Sequence, residues 1–205
     1  MLSFDPETHI YRVDGVVKPS YSQIMNRVAV REGDESRWQS VSGSEHMSDP
    51  VAADFGHQAH AAFANILRDI PCIYDRALIP WVQGFVIFMG LHNFEIKLVE
   101  QPLYSAKYGY CGTPDLICIY QHRWCVIDWK TSTANNWRWA LQLAAYAQLI
   151  RELYKLRANE KVLRISARIY ENGYDKTEYL KSSDFNCFLS LLNTYKTFTK
   201  GYTNA

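Results

Sequence analysis

Asp115, Asp128 and Lys130 are the residues in this sequence whose types and spacing could do chemistry together. Segments 111–120 and 123–130 are short and rich in Ile, Val, Leu, Tyr and Cys, and they pair naturally as a hairpin centred between Gln121 and His122. In that register Cys118 faces Cys125, Ile117 faces Val126 and Leu116 faces Ile127, which places Asp115 opposite Asp128. Opposed side chains lie about 5 Å apart at Cβ, where two like charges destabilise a sheet. A divalent cation is the natural compensation. Side chains alternate along a strand, so Asp128 and Lys130 share a face while Trp129 points away. An ammonium beside two metal-binding carboxylates suits phosphodiester hydrolysis, where it can hold or deprotonate a water or neutralise charge building on the phosphate. A second hairpin, 94–104 against 111–120 and centred between Lys107 and Tyr108, aligns Glu100 with Asp115 and adds it to the catalytic candidates. A one-residue slip would turn Glu100 away. The plainer alternative makes Asp115 a turn residue after Gly112-Thr113-Pro114, and Asp128-x-Lys130 a solvated strand end.

The elements that must position these residues change period along the chain. Tyr11 to Pro19 reads as a small hairpin turning at Asp14-Gly15. Residues 31–53 are rich in Ser, Gly, Asp and Glu without periodicity, so a long mobile loop is expected over 31–54. Asp54 can cap a helix beginning near Phe55 that carries His60, Phe63 and Leu67 on one face. A second apolar helix covers 78–92. Strands follow at 94–104, 111–120 and 123–130, as in an antiparallel meander, then a helix from Trp137 to Arg157, a strand from Val162 to Tyr170 and a helix from Ser183 to Thr199. Strands 111–120 and 123–130 are apolar on both parities, which suits central strands covered by helices on both faces. The expected class is α/β, with a central mixed sheet made of the meander plus a further strand. A single domain, 1–205, would carry an N-terminal hairpin and helix extension over 1–30.

Composition bounds the function. A chain of 205 residues is one domain's worth, and 48% hydrophobic with 21% charged residues supplies a core and excludes disorder. No apolar run reaches the roughly 18 residues of a membrane helix, and Met1 to Asp5 lacks a secretory pattern, so a cytoplasmic setting is expected. The net charge of +1 announces no nucleic-acid partner, so such binding would need a local groove. The cysteines at 72, 111, 118, 125 and 187 contain no C-x-x-C pair, which argues for reduced thiols over a disulfide framework or zinc ribbon. Trp137, Trp139 and Tyr108 lie near the catalytic candidates and could stack single-stranded bases, the alternative being core filling.

Pro114-Asp115 and Asp128-Trp129-Lys130, with twelve residues between the two aspartates, resemble the signature of the PD-(D/E)XK nuclease superfamily. Three companions follow the order of its RecB-like exonuclease branch, in phage and prophage type stand-alone nucleases. Gly56-His57-Gln58-Ala59-His60 is similar to the upstream G-x-x-x-H helix, Gly112 to Ile117 to the G-x-x-D strand with two apolar residues, and Gln142 to Tyr146 to the Q-x-x-x-Y helix. Tyr11-Arg12-Val13-Asp14-Gly15 with Pro19-Ser20 resembles the opening of phage members. The resemblance implies a restriction-endonuclease-like core and Mg²⁺, replaceable by Mn²⁺, bound by His60, Asp115, Asp128 and the backbone carbonyl of Trp129. Lys130 would be the catalytic lysine, and Gln142 and Tyr146, with Trp139, would line the DNA. His57 and His60 are three apart, so either imidazole could face inward; the G-x-x-x-H spacing favours His60. No iron–sulfur cluster is expected, because Cys187 is the only late cysteine. No G-x-x-x-x-G-K-[ST] is present, so translocation would need a helicase or recombination partner. The implied activity is metal-dependent DNA hydrolysis from ends. Alternatives are a catalytically silent DNA-binding protein on the same fold, a structure-specific endonuclease, and a zinc hydrolase using His57-x-x-His60, although that spacing lacks the H-E-x-x-H pattern.

Overall fold

The computed structural model describes residues 1–28, 50–131 and 136–200. Ten strands and five helices run in the order β1 (Leu2–Asp5), β2 (Ile10–Val13), β3 (Val16–Lys18), α1 (Tyr21–Val28), α2 (Pro50–Leu67), α3 (Ile79–Leu91), β4 (Glu95–Val99), β5 (Leu103–Ser105), β6 (Tyr110–Gly112), β7 (Leu116–Tyr120), β8 (Arg123–Lys130), α4 (Arg138–Leu153), β9 (Leu163–Tyr170), β10 (Gly173–Glu178) and α5 (Ser183–Lys200) among the described residues. The expected mobile loop falls outside the described residues up to 49. Its last residues do not: α2 begins at Pro50, so Asp54 lies inside the helix, where it accepts a 2.7 Å hydrogen bond from Gln58 instead of capping the first turn.

The class is α/β, and the central sheet has five strands in the order β10-β9-β8-β7-β4, mixed because β8 and β9 run parallel. A parallel neighbour requires a crossover, and α4 supplies it between β8 and β9. The two apolar parities of β7 and β8 enter two cores. Leu116, Cys118, Cys125, Ile127 and Trp129 pack with Phe63 of α2 and with Phe85 and Phe88 of α3. Ile117 and Val126 pack on the other face with α1, α4 and α5, through Ile24, Leu143, Tyr146 and Phe188. Helices therefore cover both faces, as the apolar strands required.

The β7–β8 register is the one read from the sequence: Leu116 pairs with Ile127, Ile117 with Val126 and Cys118 with Cys125. Gln121 and His122 form the two-residue turn, both at positive φ (50° and 59°), the geometry a tight hairpin needs. The meander differs from expectation in one respect. Segment 94–104 divides into β4, on the central sheet, and β5, which pairs with β6 in a separate two-stranded sheet. Glu100 sits at the break with φ 47°, and Pro102, which has no N–H to give a ladder, follows it. The pairing centre still holds on both sides of the break, with Val99 opposite Leu116 and Leu103 opposite Gly112; the register shifts only beyond Leu98.

Two elements were not foreseen, whereas α1 is the helix expected within the 1–30 extension. β1 pairs with β2 to complete a three-stranded N-terminal sheet. β10 is a half-buried edge strand beside β9, and its polar sequence hides it from an apolar search. Helix α1 starts behind Ser20, whose hydroxyl accepts from the Gln23 N–H (3.2 Å) while the Gln23 side chain accepts from the Ser20 N–H (3.0 Å). That reciprocal capping box fixes the helix start.

Candidate active site

Three pieces of chain converge where β7 and β8 leave their ladder. The last ladder pair is Leu116 with Ile127, so Asp115 and Asp128 are the next opposed residues, both almost fully buried at 5% and 2% exposure. Asp115 is held from two sides. Its Oδ2 accepts the Trp129 amide N–H at 2.7 Å, and its Oδ1 lies 3.3 Å from His60 Nδ1. Glu100 arrives from the end of β4, its amide N–H donating to the Asp115 carbonyl at 3.1 Å. A non-glycine residue at φ 47° is uncommon, and such backbones concentrate at functional sites. Here it turns the chain off the central sheet and leaves the Glu100 carboxylate beside Asp115. Ligand atoms of His60, Glu100 and Asp115 all lie within 4.8 Å of one another, a group able to hold a metal ion.

Asp128 stands beside this triad. Its carboxylate pairs with the Lys130 ammonium on the same face of β8, as the alternation required. Lys130 Nζ also donates to Gln142 Oε1 at 3.0 Å, and Gln142 Nε2 donates to the Tyr146 hydroxyl at 3.2 Å. Gln142 and Tyr146 are four apart on α4, hence on one face. The Tyr146 ring lies so close to the strand that a Cβ on Gly112 would stand 2.5 Å from its Cε1, which is why glycine occupies that position.

The electrostatics follow from crowding acids at low exposure. Burial pushes the Glu100 carboxyl up to about 8, reinforced by Asp115 and Asp128. Burial also lifts Asp128, to about 6, with Lys130 opposing and Asp115 assisting. Burial pulls His60 down, but the Asp115 carboxylate outweighs it and raises the imidazole to about 9. These shifts favour protons on His60 and Glu100, which hold down the charge of the cluster.

The expected residues therefore fall into two groups. His60, Asp115 and Glu100 form the triad; Asp128, Lys130, Gln142 and Tyr146 form a polar chain leading away from it. His57 is exposed and outside the triad, so position selects His60 from the two histidines. The Trp129 contact that the structure displays is made by its amide, with the indole fully buried on the opposite face. Trp139 is 7% exposed, with the Lys130 ammonium 5.7 Å from its ring centroid, so it offers no open face for base stacking. Tyr108 packs edge-on against Phe185 in the helical core, and Trp137 alone of the three is half exposed.

The triad lines a cleft of about 810 Å³. Phe4, His9 and Tyr11 from the N-terminal sheet region and Arg68, just beyond α2, line the same cleft. The sequence reading had no role for Phe4, His9 or Arg68. The one signal was Tyr11 and Pro19 in the phage-like opening. Tyr11 shares a 2.7 Å hydrogen bond with Thr113, and the Pro19 carbonyl accepts the Cys111 N–H at 2.8 Å, so those residues tie the extra sheet to the strand before Asp115. Among the described residues no helix is long and apolar enough to cross a membrane.

No known protein family matches the chain, and neither does any curated protein.

Proposed function

We propose that the protein is a metal-dependent nuclease of PD-(D/E)XK type, on a restriction-endonuclease-like core of the RecB-like branch, hydrolysing DNA phosphodiester bonds from ends. The observation that carries this reading is the juxtaposition of the His60–Glu100–Asp115 triad with a lysine held by an acid and an amide. Two carboxylates and one imidazole suit a hard divalent cation such as Mg²⁺ or Mn²⁺. Carboxylates crowded at low exposure around one imidazole are the donor set of a cation site. The cation would supply Lewis-acid polarisation of a phosphodiester oxygen. Lys130 is aimed by Asp128 and Gln142, so its ammonium can orient a water or neutralise charge on the phosphate as that charge develops. Gln142 and Tyr146 keep Lys130 from collapsing onto Asp128 alone.

The partner is DNA, with a helicase or recombination protein supplying translocation. A zinc hydrolase is less well supported, since only one of His57 and His60 enters the triad. The test is degradation of linear DNA with Mg²⁺ or Mn²⁺, with EDTA, and with zinc-selective chelation. Loss of DNA that requires Mg²⁺ or Mn²⁺ and survives zinc chelation supports the reading. Equal loss in excess EDTA, or DNA binding without cleavage under every metal condition, rejects it.

A further inference from the structure

Part of the cleft lining is built of rings. Phe4 of β1 lies 4.4 Å from Tyr11 of β2 and edge-on to His9 at 5.7 Å. His9 in turn faces His57 of α2, with ring centroids 6.5 Å apart and 30° between planes. That separation is close to the roughly 6.8 Å spanned by two stacking intervals of nucleic-acid bases. His9 and His57 are exposed, Phe4 is partly exposed, and all three line the cleft that contains His60, Glu100 and Asp115. These three half-open rings in the lining of the cleft belong to neither of the two hydrophobic cores. His9 itself adopts φ 51°, which aims its ring from the β1–β2 turn.

We propose that Phe4, His9 and His57 form a subsite for one unpaired nucleobase, that of the nucleotide adjoining the reacting phosphate; the proposal rests on the nuclease reading of the triad. Rings recognise the face of a base, and in a duplex those faces are covered by neighbouring pairs. The subsite therefore takes a single strand or a frayed end. Arg68, whose Nη2 donates to the Val99 carbonyl at 2.6 Å beside Glu100, lies on the same cleft and suits the flanking phosphate. The cleft volume of about 810 Å³ lies within the ~300–1,000 Å³ of sites that enclose a small ligand. The N-terminal sheet then acts as a specificity element, anchored by Tyr11 to Thr113.

The experiment uses single-stranded oligonucleotides with natural bases or with an abasic nucleotide beside the scissile bond, on wild type and on Phe4→Ala/His9→Ala. In wild type the abasic nucleotide should weaken KM about ten-fold, the scale of one stacked base, with kcat nearly unchanged. The double variant should lose about the same on the natural strand and nothing more on the abasic one. His9→Phe, which keeps a ring, should restore affinity, while a Mg²⁺-induced rise in melting temperature shows that the fold survives. An abasic penalty that persists undiminished in the double variant, or is absent in wild type, overturns the subsite. Binding of the same two strands to the full-length Lys130→Ala protein gives this comparison without turnover. A wild type that never cleaves would defeat the nuclease reading, while this binding difference would still decide the subsite.

Discussion

The β7–β8 hairpin has a cleft at each end with one partly buried histidine in it, His60 or His92, and these two histidines are driven in opposite directions. At the open end His60 sits in the cleft of about 810 Å³ with Asp115 and Glu100, and its imidazole is raised to about 9. At the turn end a cleft of about 510 Å³ is lined by His92, Tyr120 and His122. There His92 is bracketed by two hydroxyls, Tyr120 on Nδ1 at 3.2 Å and Tyr174 on Nε2 at 3.4 Å, and packed by Phe88 and Phe94. Burial lowers its pKa, with Lys176 adding to the effect. Burial depresses both rings; the carboxylates alone reverse the outcome at His60. A partly buried histidine in a cleft is thus no sign of function. What distinguishes His60 is the cluster of acids around it.

The largest effect that could break this contrast is on turnover. If the protein is the proposed nuclease, with Lys130 acting on water or phosphate, Lys130→Ala should reduce metal-dependent DNA cleavage about 10³-fold or more while leaving the Mg²⁺-induced melting shift. Asp115→Ala should lose cleavage and the melting shift together. His92→Phe should leave both within about two-fold. If His92→Phe cost as much as Lys130→Ala in a steady-state nuclease assay, the distinction between the two ends would collapse.

Next in size is the pH dependence of metal-free stability. Asp128, Glu100 and His60 all have folded values above their ordinary ones, at about 6, about 8 and about 9. A raised value means that the folded state binds the proton more tightly, so the stabilisation is fully present at low pH. It is lost as pH rises through each folded value in turn. The metal-free protein should therefore melt lower at about pH 9 than at about pH 6. Mg²⁺ should do the reverse, giving a larger melting shift at the higher pH, where it no longer competes with protons. Calorimetry across that range decides it; a metal shift that shrinks as pH rises would contradict the triad.

A smaller effect isolates one acid. Glu100→Gln removes a carboxylate whose ionisation is opposed by burial, Asp115 and Asp128. Without metal, at about pH 9, the variant should melt several degrees above wild type, at roughly 2–4 °C per kcal/mol for a chain of this size. Asp128→Ala is not expected to do the same, although opposed carboxylates alone suggested it. It would strand the Lys130 ammonium, which is 17% exposed and pairs with Asp128.

That reversal marks what could be read from the sequence. The hairpin register was legible because a two-residue turn and strict alternation leave no freedom, so Asp115, Asp128 and Lys130 fell where expected. Glu100 was legible through the same pairing arithmetic, but the break at its positive φ was not, since no residue type there demands a left-handed backbone. The division of ligands was hidden too. Opposition in a ladder reveals that Asp115 and Asp128 are neighbours; side-chain direction decides that one meets His60 and the other Lys130. Aromatic placement was least legible. Trp139 lies beneath Lys130, while two of the open rings come from β1 and the β1–β2 turn, far away in sequence and brought in by the Tyr11–Thr113 and Pro19–Cys111 contacts.

The smallest expected effect concerns the quiet end of the hairpin. His92 has a folded pKa below its ordinary value, so its contribution to stability is present above that ordinary value and is lost as pH falls, when the unfolded chain takes the proton more readily. This is opposite in sign to His60. His92→Phe removes the titration and keeps a ring among Phe88, Phe94 and Tyr174, but it leaves the Tyr120 and Tyr174 hydroxyls without their shared partner. Near neutral pH that should cost about 1 kcal/mol. The deficit should narrow at about pH 5, where wild type also pays for holding His92 neutral, and the alkaline limb set by the triad should not move. Melting curves of the two proteins at about pH 5, 7 and 9 measure all three points. A deficit that widens on acidification would mean that His92 is protonated in the folded protein, and the two ends of the hairpin would then differ in degree instead of in kind.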